Sequence, residues 1–467
     1  MKTEFTKTLA IFSLATLNQN ENSNNLNAFL MIKSKQKSIL VAALLMLNIF
    51  CAIGQEKPFN VINLKPDGSQ YIKFGMNLQV WGRYSELNPG SKVGTNEVDE
   101  TYDIVIRRLR LQAMGMLTEN IFFHLQLGQN NINFQQNSGP SNAPLSIMDA
   151  IGEYHFSDKL HIGGGLTAWG AGTTRYSANS SATQLTLDTP MYQQFINTSS
   201  TFGNRNLSIY AKGYLGKFNY RAAITNPYRN NVNNLGVNST LSTETPRAQY
   251  SGILTYSFLD KEAIEDPYHR GTYLGTKKVF NLALGYMTQA KAMWHLKPDA
   301  TVAYNDMKVL GFDVFYDSPI SDKGDAITAY ASYNNNDYGK NYIQSVSTPN
   351  PAVGDNTLIN GSGAGFIGVG TGNIYYAQLG YLFAKSSSET KKGRFQPYVA
   401  TQIAALDALE TPMTMYEIGA NYYTTGTFGP KFSLNYQNRA IYDKSLVGKY
   451  TQSDRLGTVV LQCQVSF

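Results

Sequence analysis

Ten charged residues share one parity in segments where polar and apolar residues alternate. They are Lys73, Arg108, Arg110, Lys212, Arg221 and Arg247 on the basic side and Asp149, Glu153, Asp313 and Glu417 on the acidic side. In a strand, residues of one parity project from one face, so these groups line a common polar wall. There they hydrate the wall and pair across strands, or set up a field that orders water and biases the passage of ions. The five histidines, at 124, 155, 161, 269 and 295, show no HExxH or Cys/His ligand spacing, so no metal site is expected. His124 and His155 fall on the polar parity and read as hydrogen-bonding wall residues. The run Gly163–Gly165 is followed by no helix and no GK[ST], which excludes a phosphate loop; glycines within a strand instead let it bend or make room for an inward segment. No catalytic constellation and no cofactor motif emerges.

The elements that carry these residues are strands. Only 15% of the 467 residues are charged and 12% are aromatic, with 31 Tyr and 40 Gly, a composition that suits strands, turns and membrane-interface girdles better than soluble helical enzymes. In residues 71–81 Ile72, Phe74, Met76, Leu78 and Val80 alternate with Lys73, Gly75, Asn77 and Gln79. Leu109, Leu111 and Ala113 oppose Arg108, Arg110 and Gln112; Ile121, Phe123, Leu125 and Leu127 oppose His124 and Gln126. The pattern recurs in further segments beginning near 147, 159, 206, 217, 247, 279, 307, 325, 373, 394, 413, 430 and 456, sixteen in all. The segment near 394 is ambiguous, because Pro397 and Tyr398 leave either face plausible. The chain finishes on Val459, Leu461, Cys463, Val465 and Phe467 alternating with polar residues.

Connections alternate in length. Residues 117–120, 157–159 and 216–217 are tight turns, whereas 85–101, 129–146, 169–205 and 226–246 are long and polar. The stretch 259–278 is long where a tight turn is expected and reads as an insertion. This is the pattern of an all-β chain forming a single closed transmembrane antiparallel β-barrel of about 16 strands, with long extracellular loops. A closed barrel leaves no unpaired edge, which lipid demands. A soluble sandwich or propeller also alternates, but its loops are shorter and no blade repeat recurs at fixed period.

Residues 1–30 precede a second methionine and read as an over-extended start or leader. Residues 31–54 read as a signal peptide: Lys33, Lys35 and Lys37, then the apolar run from Ile39 to Phe50, then Ala52 and Gly54 before a cut at Gln55. A lipoprotein anchored through Cys51 is the competing reading. Residues 55–70 follow as a periplasmic lead-in, and the barrel occupies 71–467. The net charge of +6 over the whole chain falls to +3 once the five Lys and two Glu of residues 1–54 are removed, so nothing supports nucleic-acid binding. Cys463 is then alone, without a disulfide partner.

Residues 107–128, 148–166 and 204–228 resemble the phosphate-selective porin O and P family of outer-membrane porins, and 416–426 with 431–439 look like that family's closing strands. The resemblance implies a sixteen-stranded channel, a homotrimer, with a loop folded into the pore and arginines that select anions. Arg108 and Arg110 match the family's basic strand. The loop 169–205 departs from it, since only Arg175, Asp188 and Arg205 are charged there. The expected function is passive diffusion of small hydrophilic solutes and ions across the outer membrane with a weak preference for anions. A substrate-specific channel for phosphate or another anion, and a structural or adhesive barrel without transport, stay open. An enzyme built on a barrel would need a nucleophile and histidine facing lipid, and the strand-borne histidines lie with the polar residues instead. Membrane lipids and small solutes or anions are the expected partners, and no cofactor is expected.

Overall fold

The computed structural model describes residues 60–133, 145–167, 172–178, 180–194, 196, 205–229, 233–244, 247–264, 268–346, 352, 359–384, 393–424, 429–444 and 449–467. Residues 1–54, read above as leader and signal peptide, lie outside them. Of the lead-in, Val61–Asn63 forms a short strand paired with the start of the barrel.

Sixteen strands build the barrel: β1 (Tyr71–Glu86), β2 (Glu100–Met116), β3 (Ile121–Ile132), β4 (Ser146–Ser157), β5 (Leu160–Thr167), β6 (Asn206–Leu215), β7 (Phe218–Thr225), β8 (Gln249–Ser257), β9 (Val279–Leu296), β10 (Val302–Pro319), β11 (Ala326–Asp337), β12 (Gly372–Leu382), β13 (Arg394–Leu406), β14 (Met413–Tyr423), β15 (Lys431–Lys444) and β16 (Tyr450–Ser466). Each pairs antiparallel with its sequence neighbours, and β16 returns to β1 with Leu78 opposite Val465 and Trp81 opposite Gln462. The sheet is therefore closed. Phe467 completes the seam: its backbone N–H donates to Met76 at 3.1 Å and its carbonyl accepts from the Met76 N–H at 3.3 Å.

Alternation sorts the side chains as period two requires. On β10, Leu310, Phe312 and Tyr316 are exposed on the outside while Met307, Val309, Asp313, Phe315 and Asp317 are buried inside. On β13 the ambiguity at Pro397 resolves with Gln396, Tyr398, Ala400 and Gln402 inward and Phe395, Val399 and Ile403 outward. Outward aromatics near one rim pack in series, Phe218 on Tyr256, Tyr256 on Phe258 and Phe258 on Phe280, with ring centroids 4.7–4.9 Å apart. Such a girdle sits where hydrocarbon meets headgroups. Among the described residues no helix is long and apolar enough to cross a membrane; the strands do the crossing.

The tight turns 117–120, 158–159 and 216–217 lie at one end, with Tyr71 and Phe467, which in such barrels is the periplasmic end. The opposite end carries the long connections 87–99, 168–205 and 338–371. The expectation of long loops there up to the end of the chain fails at 297–301, 407–412 and 445–449, which are short. At the first of these, β9 and β10 each run to 18 residues and carry the barrel wall outward as a hairpin, so strand takes the place of loop.

If Phe467 closes the seam through its two bonds to Met76, deleting it should lower the yield of membrane-inserted, heat-modifiable barrel on electrophoresis. Insertion equal to the unaltered chain would overturn that assignment.

Candidate functional site

The connection after β5 enters the lumen, in line with the pore-folded loop that the porin resemblance implies. Its path can be followed by its partners on the wall. Thr173 lies against β9 and β10, where a Cβ on Gly285 or Gly311 would sit 2.0 or 2.3 Å from its carbonyl oxygen; only glycine admits so close a backbone. The Arg175 backbone N–H donates to Asp313 on β10 at 2.6 Å. Asn77 of β1 donates to the Ser181 hydroxyl and Gln464 of β16 to the Ala182 carbonyl. Lys431 of β15 and Asn421 of β14 donate to the carbonyls of Gln184 and Leu185. Leu187 packs with Trp81, Val105 and Val460, and the Tyr192 N–H donates to Gln402 of β13. The segment thus spans the lumen from β9 and β10 to β13. The glycines that make room for it are Gly285 and Gly311, with Gly380 against Leu185. Gly163, expected to make room for an inward loop, instead accommodates the Glu153 side chain and the Tyr210 ring.

The insertion 258–278 enters from the opposite end and meets this loop. Arg175 forms a bidentate ion pair with Glu262, both contacts 2.6 Å, while its guanidinium lies 3.7 Å from the centroid of Phe315. Glu262 also accepts from Tyr273 at 2.5 Å and Asn281 at 2.7 Å. The Ser180 N–H donates to the His269 carbonyl and the Gly271 N–H to Thr183. Burial alone would raise the Glu262 carboxyl, but Arg175 outweighs it and holds it at about 2. Two connections from opposite rims are therefore bolted together inside the barrel.

Most of the charges expected on the wall are inside, and four of them, Arg108, Asp149, Glu153 and Lys212, stand in ion pairs. Arg108 contacts Asp188, and Arg107 holds the same carboxylate at 2.8 Å; burial would raise the Asp188 carboxyl, but the two guanidiniums pull it below its ordinary value. Arg205 stands 3.5 Å from Asp149, which also accepts from Tyr268. Lys212 pairs with Glu153 at 2.8 Å. Arg221 is buried on the inner wall of β7. Glu417 accepts from Asn435 and Gln437. Arg110 bonds the neutral acceptors Asn130, Gln129 and its neighbour's carbonyl. Lys73 is exposed at the periplasmic start of β1. Arg247 is a correction: it is exposed and precedes β8, which begins only at Gln249, so strand parity does not apply to it.

Reading by parity missed Arg107, Lys431, Arg439 and Glu262. Arg107 is the extra residue of a bulge, since Gln79 pairs with Arg108 and Val80 with Ile106, and this lets two successive arginines reach one carboxylate. The sequence does carry a trace of it: the inward parity shifts from odd at Asp103 and Val105 to even at Arg108 and Arg110. Beside the loop, a small cavity of about 30 Å³ is lined by Trp81, Arg83, Met191, Phe366, Arg439 and Val460, among others.

No protein-family model and no curated protein matches the chain. Solved structures do resemble it. Salmonella typhi OmpF in complex with daunomycin superposes with a TM-score of 0.50 at 6% identity, over 87% of this chain and 100% of that one. An anion-selective porin from Comamonas acidovorans has a TM-score of 0.47 at 12% identity, over 85% and 100%. The outer-membrane channel DcaP of Acinetobacter baumannii has 0.45 at 14%, over 87% and 99%. At such identity the likeness concerns the fold: a closed sixteen-stranded transmembrane barrel of porin type.

Glu262→Ala would leave Arg175 charged and unpaired in a buried site, a loss of about 3–5 kcal/mol. A lowered melting temperature together with larger or noisier single-channel currents is expected. Because the Glu262 carboxyl is depressed, its contribution is fully present above its ordinary value near 4.5 and disappears as pH falls through about 2. Currents through the unaltered protein should therefore not change from pH 8 to pH 5 on account of this pair. A Glu262→Ala variant with unchanged stability and currents would refute the clamp.

Proposed function

We propose that this chain is an outer-membrane porin, exported with residues 31–54 as a cleaved signal peptide, that lets small hydrophilic solutes and ions diffuse passively with a weak preference for anions. The observation that carries the reading is the closed barrel whose lumen is crossed by a loop between facing charged walls. Selection at such a crossing acts mainly through size and hydrogen bonding. The segment involved presents hydroxyls, amides and backbone groups, with Arg175 and Asp188 neutralised by Glu262 and by Arg107 and Arg108.

The preference for anions is supported by the cations that face only neutral acceptors. Arg110 bonds Asn130 and carbonyls, Lys431 bonds the Gln184 carbonyl, and Arg439 bonds Thr458, Asn88 and the Glu86 carbonyl. Against them stand Glu417 and Asp317, whose partners are amides and hydroxyls. The surplus of positive charge is small, and with a Debye length of about 8 Å at physiological salt its field is screened within the pore. A tight phosphate site is not part of this reading. Assembly as a homotrimer rests on the sequence resemblance and is open to cross-linking in native membranes.

One observation favours a second reading, a structural barrel without transport. Leu185, Leu187, Tyr192 and Ile196 of the crossing segment are each 2% exposed or less, so the segment is packed as a core rather than as a wetted constriction. Conductance of the purified protein in planar bilayers separates the two, and its absence would establish the second.

For the channel, the reversal potential across a chloride gradient should indicate an anion preference of about twofold, screening limiting it to that order. Arg110→Ala and Arg108→Ala should each shift it toward cations, because Arg110 faces neutral acceptors and Arg108 shares the one carboxylate of Asp188 with Arg107, so either change removes one net positive charge from the wall. Marked cation selectivity, or block of the chloride current by micromolar phosphate, would refute the assignment.

A further inference from the structure

Three metal-ligating side chains converge on the lumen wall at the periplasmic end, away from the loop crossing. Glu153 and His155 are two residues apart on β4 and so project to the same face. His161 on β5 is the direct cross-strand partner of His155. The Glu153 carboxylate divides its two oxygens between different tasks. Oε1 forms an ion pair with Lys212 Nζ and accepts from the Tyr210 hydroxyl, each at 2.8 Å. Oε2 lies 3.0 Å from His155 Nε2 and 3.9 Å from His161 Nδ1. One ligand atom from each of the three residues falls within 4.8 Å of the others.

A second observation points to a missing partner. His161 is 2% exposed, and its Nδ1 has no hydrogen-bond partner. That nitrogen faces Oε2 at a distance too long for a hydrogen bond, and a buried polar atom left without a partner is destabilising. The two imidazoles are stacked with centroids 3.7 Å apart and planes 17° from parallel, which presents both rings to the same carboxylate oxygen. Bond lengths of about 2.0–2.2 Å in a tetrahedral zinc site put neighbouring ligand atoms on the order of 3.3 Å apart. The observed 3.0 and 3.9 Å from Oε2 to the two imidazoles bracket that spacing, and with the two imidazole nitrogens within 4.8 Å of each other side-chain rotations would close the set around one ion.

We propose that Glu153, His155 and His161 form a binding site for a divalent transition-metal ion on the lumen wall. Two imidazoles and one carboxylate suit Zn²⁺, and also Cu²⁺ or Ni²⁺; Ca²⁺ and Mg²⁺ require mostly oxygen ligands. The remaining position takes water or a small anion from the lumen. Lys212 stays on Oε1 and, by repulsion, sets a moderate affinity. The spacing E-x-H followed by a histidine across a tight turn carries the site; a search for ligands along a helix or for Cys/His pairs passes over it, because the third ligand is a neighbour in register and not in sequence. The proposal rests on the wall geometry alone and holds for either reading of transport.

The test uses the full chain without a polyhistidine tag, purified in detergent and stripped with a chelator. Titration with Zn²⁺ by calorimetry should give one ion per chain. The His155→Ala, His161→Ala double variant, checked for heat-modifiable mobility as a folded barrel, should bind at least about tenfold more weakly, since loss of even the outer partners of metal ligands has effects of that size. On the unaltered chain, Cu²⁺ electron paramagnetic resonance should show coupling to two imidazole nitrogens, a readout independent of any variant's folding. Absence of stoichiometric Zn²⁺ binding, an unchanged affinity in the folded double variant, or a Cu²⁺ spectrum without nitrogen coupling would each overturn the site.

Discussion

Inside hydrocarbon there is no water to satisfy a backbone N–H or carbonyl, so a sheet that crosses a membrane must close on itself. Everything else in this molecule follows from that constraint. The pairing of β16 with β1 removes the last open edge. Closure then fixes the inward parity of every strand in turn, and with it which side chains meet in the lumen. A one-residue slip at the seam would move Gln79, Gln462 and Gln464 to the lipid face, where their amides would have no partner; inside, Gln79 and Gln464 instead bond each other at 2.8 Å and both reach the crossing loop.

The lumen solves a second problem, that of holding a long loop in place without a conventional core. It does so with buried polar contacts at both ends of the crossing and apolar contacts along it. The Arg175–Glu262 pair anchors one end against β10, and Asp188 between Arg107 and Arg108 anchors the other against β2. Between them Leu185 and Leu187 pack on the wall. Buried ion pairs contribute little net stability over apolar packing, but they penalise misplacement heavily. Here they fix where the loop lies, which is the property a constriction requires.

How much of this was legible in the sequence depended on whether the information was local. Strand number and faces were, because period two repeats in each segment: Ile121–Leu127 and Leu310–Tyr316 announce their orientation without reference to any other part of the chain. The inward course of the loop after β5 was expected from the resemblance to porins, in which a loop folds into the pore, rather than from any local pattern. Arg107 was not, since a bulge shifts parity at one residue and leaves only a change of phase behind. Glu262 was not, because its role exists only once a connection from the other rim brings Arg175 to it. Arg247 misled because alternation was extended two residues past the point where β8 begins.

The same distinction explains why selectivity is harder to read than fold. Counting charges of one parity gives a basic surplus, but the field in a pore depends on which charges remain after pairing. Asp188 cancels much of Arg108, Glu262 cancels Arg175, and Asp149 faces Arg205. Among the described residues, what remains sits on Arg107 and Arg108, which share the single charge of Asp188, and on Arg110, Lys431 and Arg439, offset by Glu417 and Asp317, spread along the wall rather than gathered in a ring. Spread charges act over distances comparable to the Debye length and are screened accordingly, whereas a ring would sum at one point of the path. If the barrel conducts as proposed, such an arrangement would bias entry without defining a site, and recognition of any particular solute would have to come from groups whose partners are still free to change.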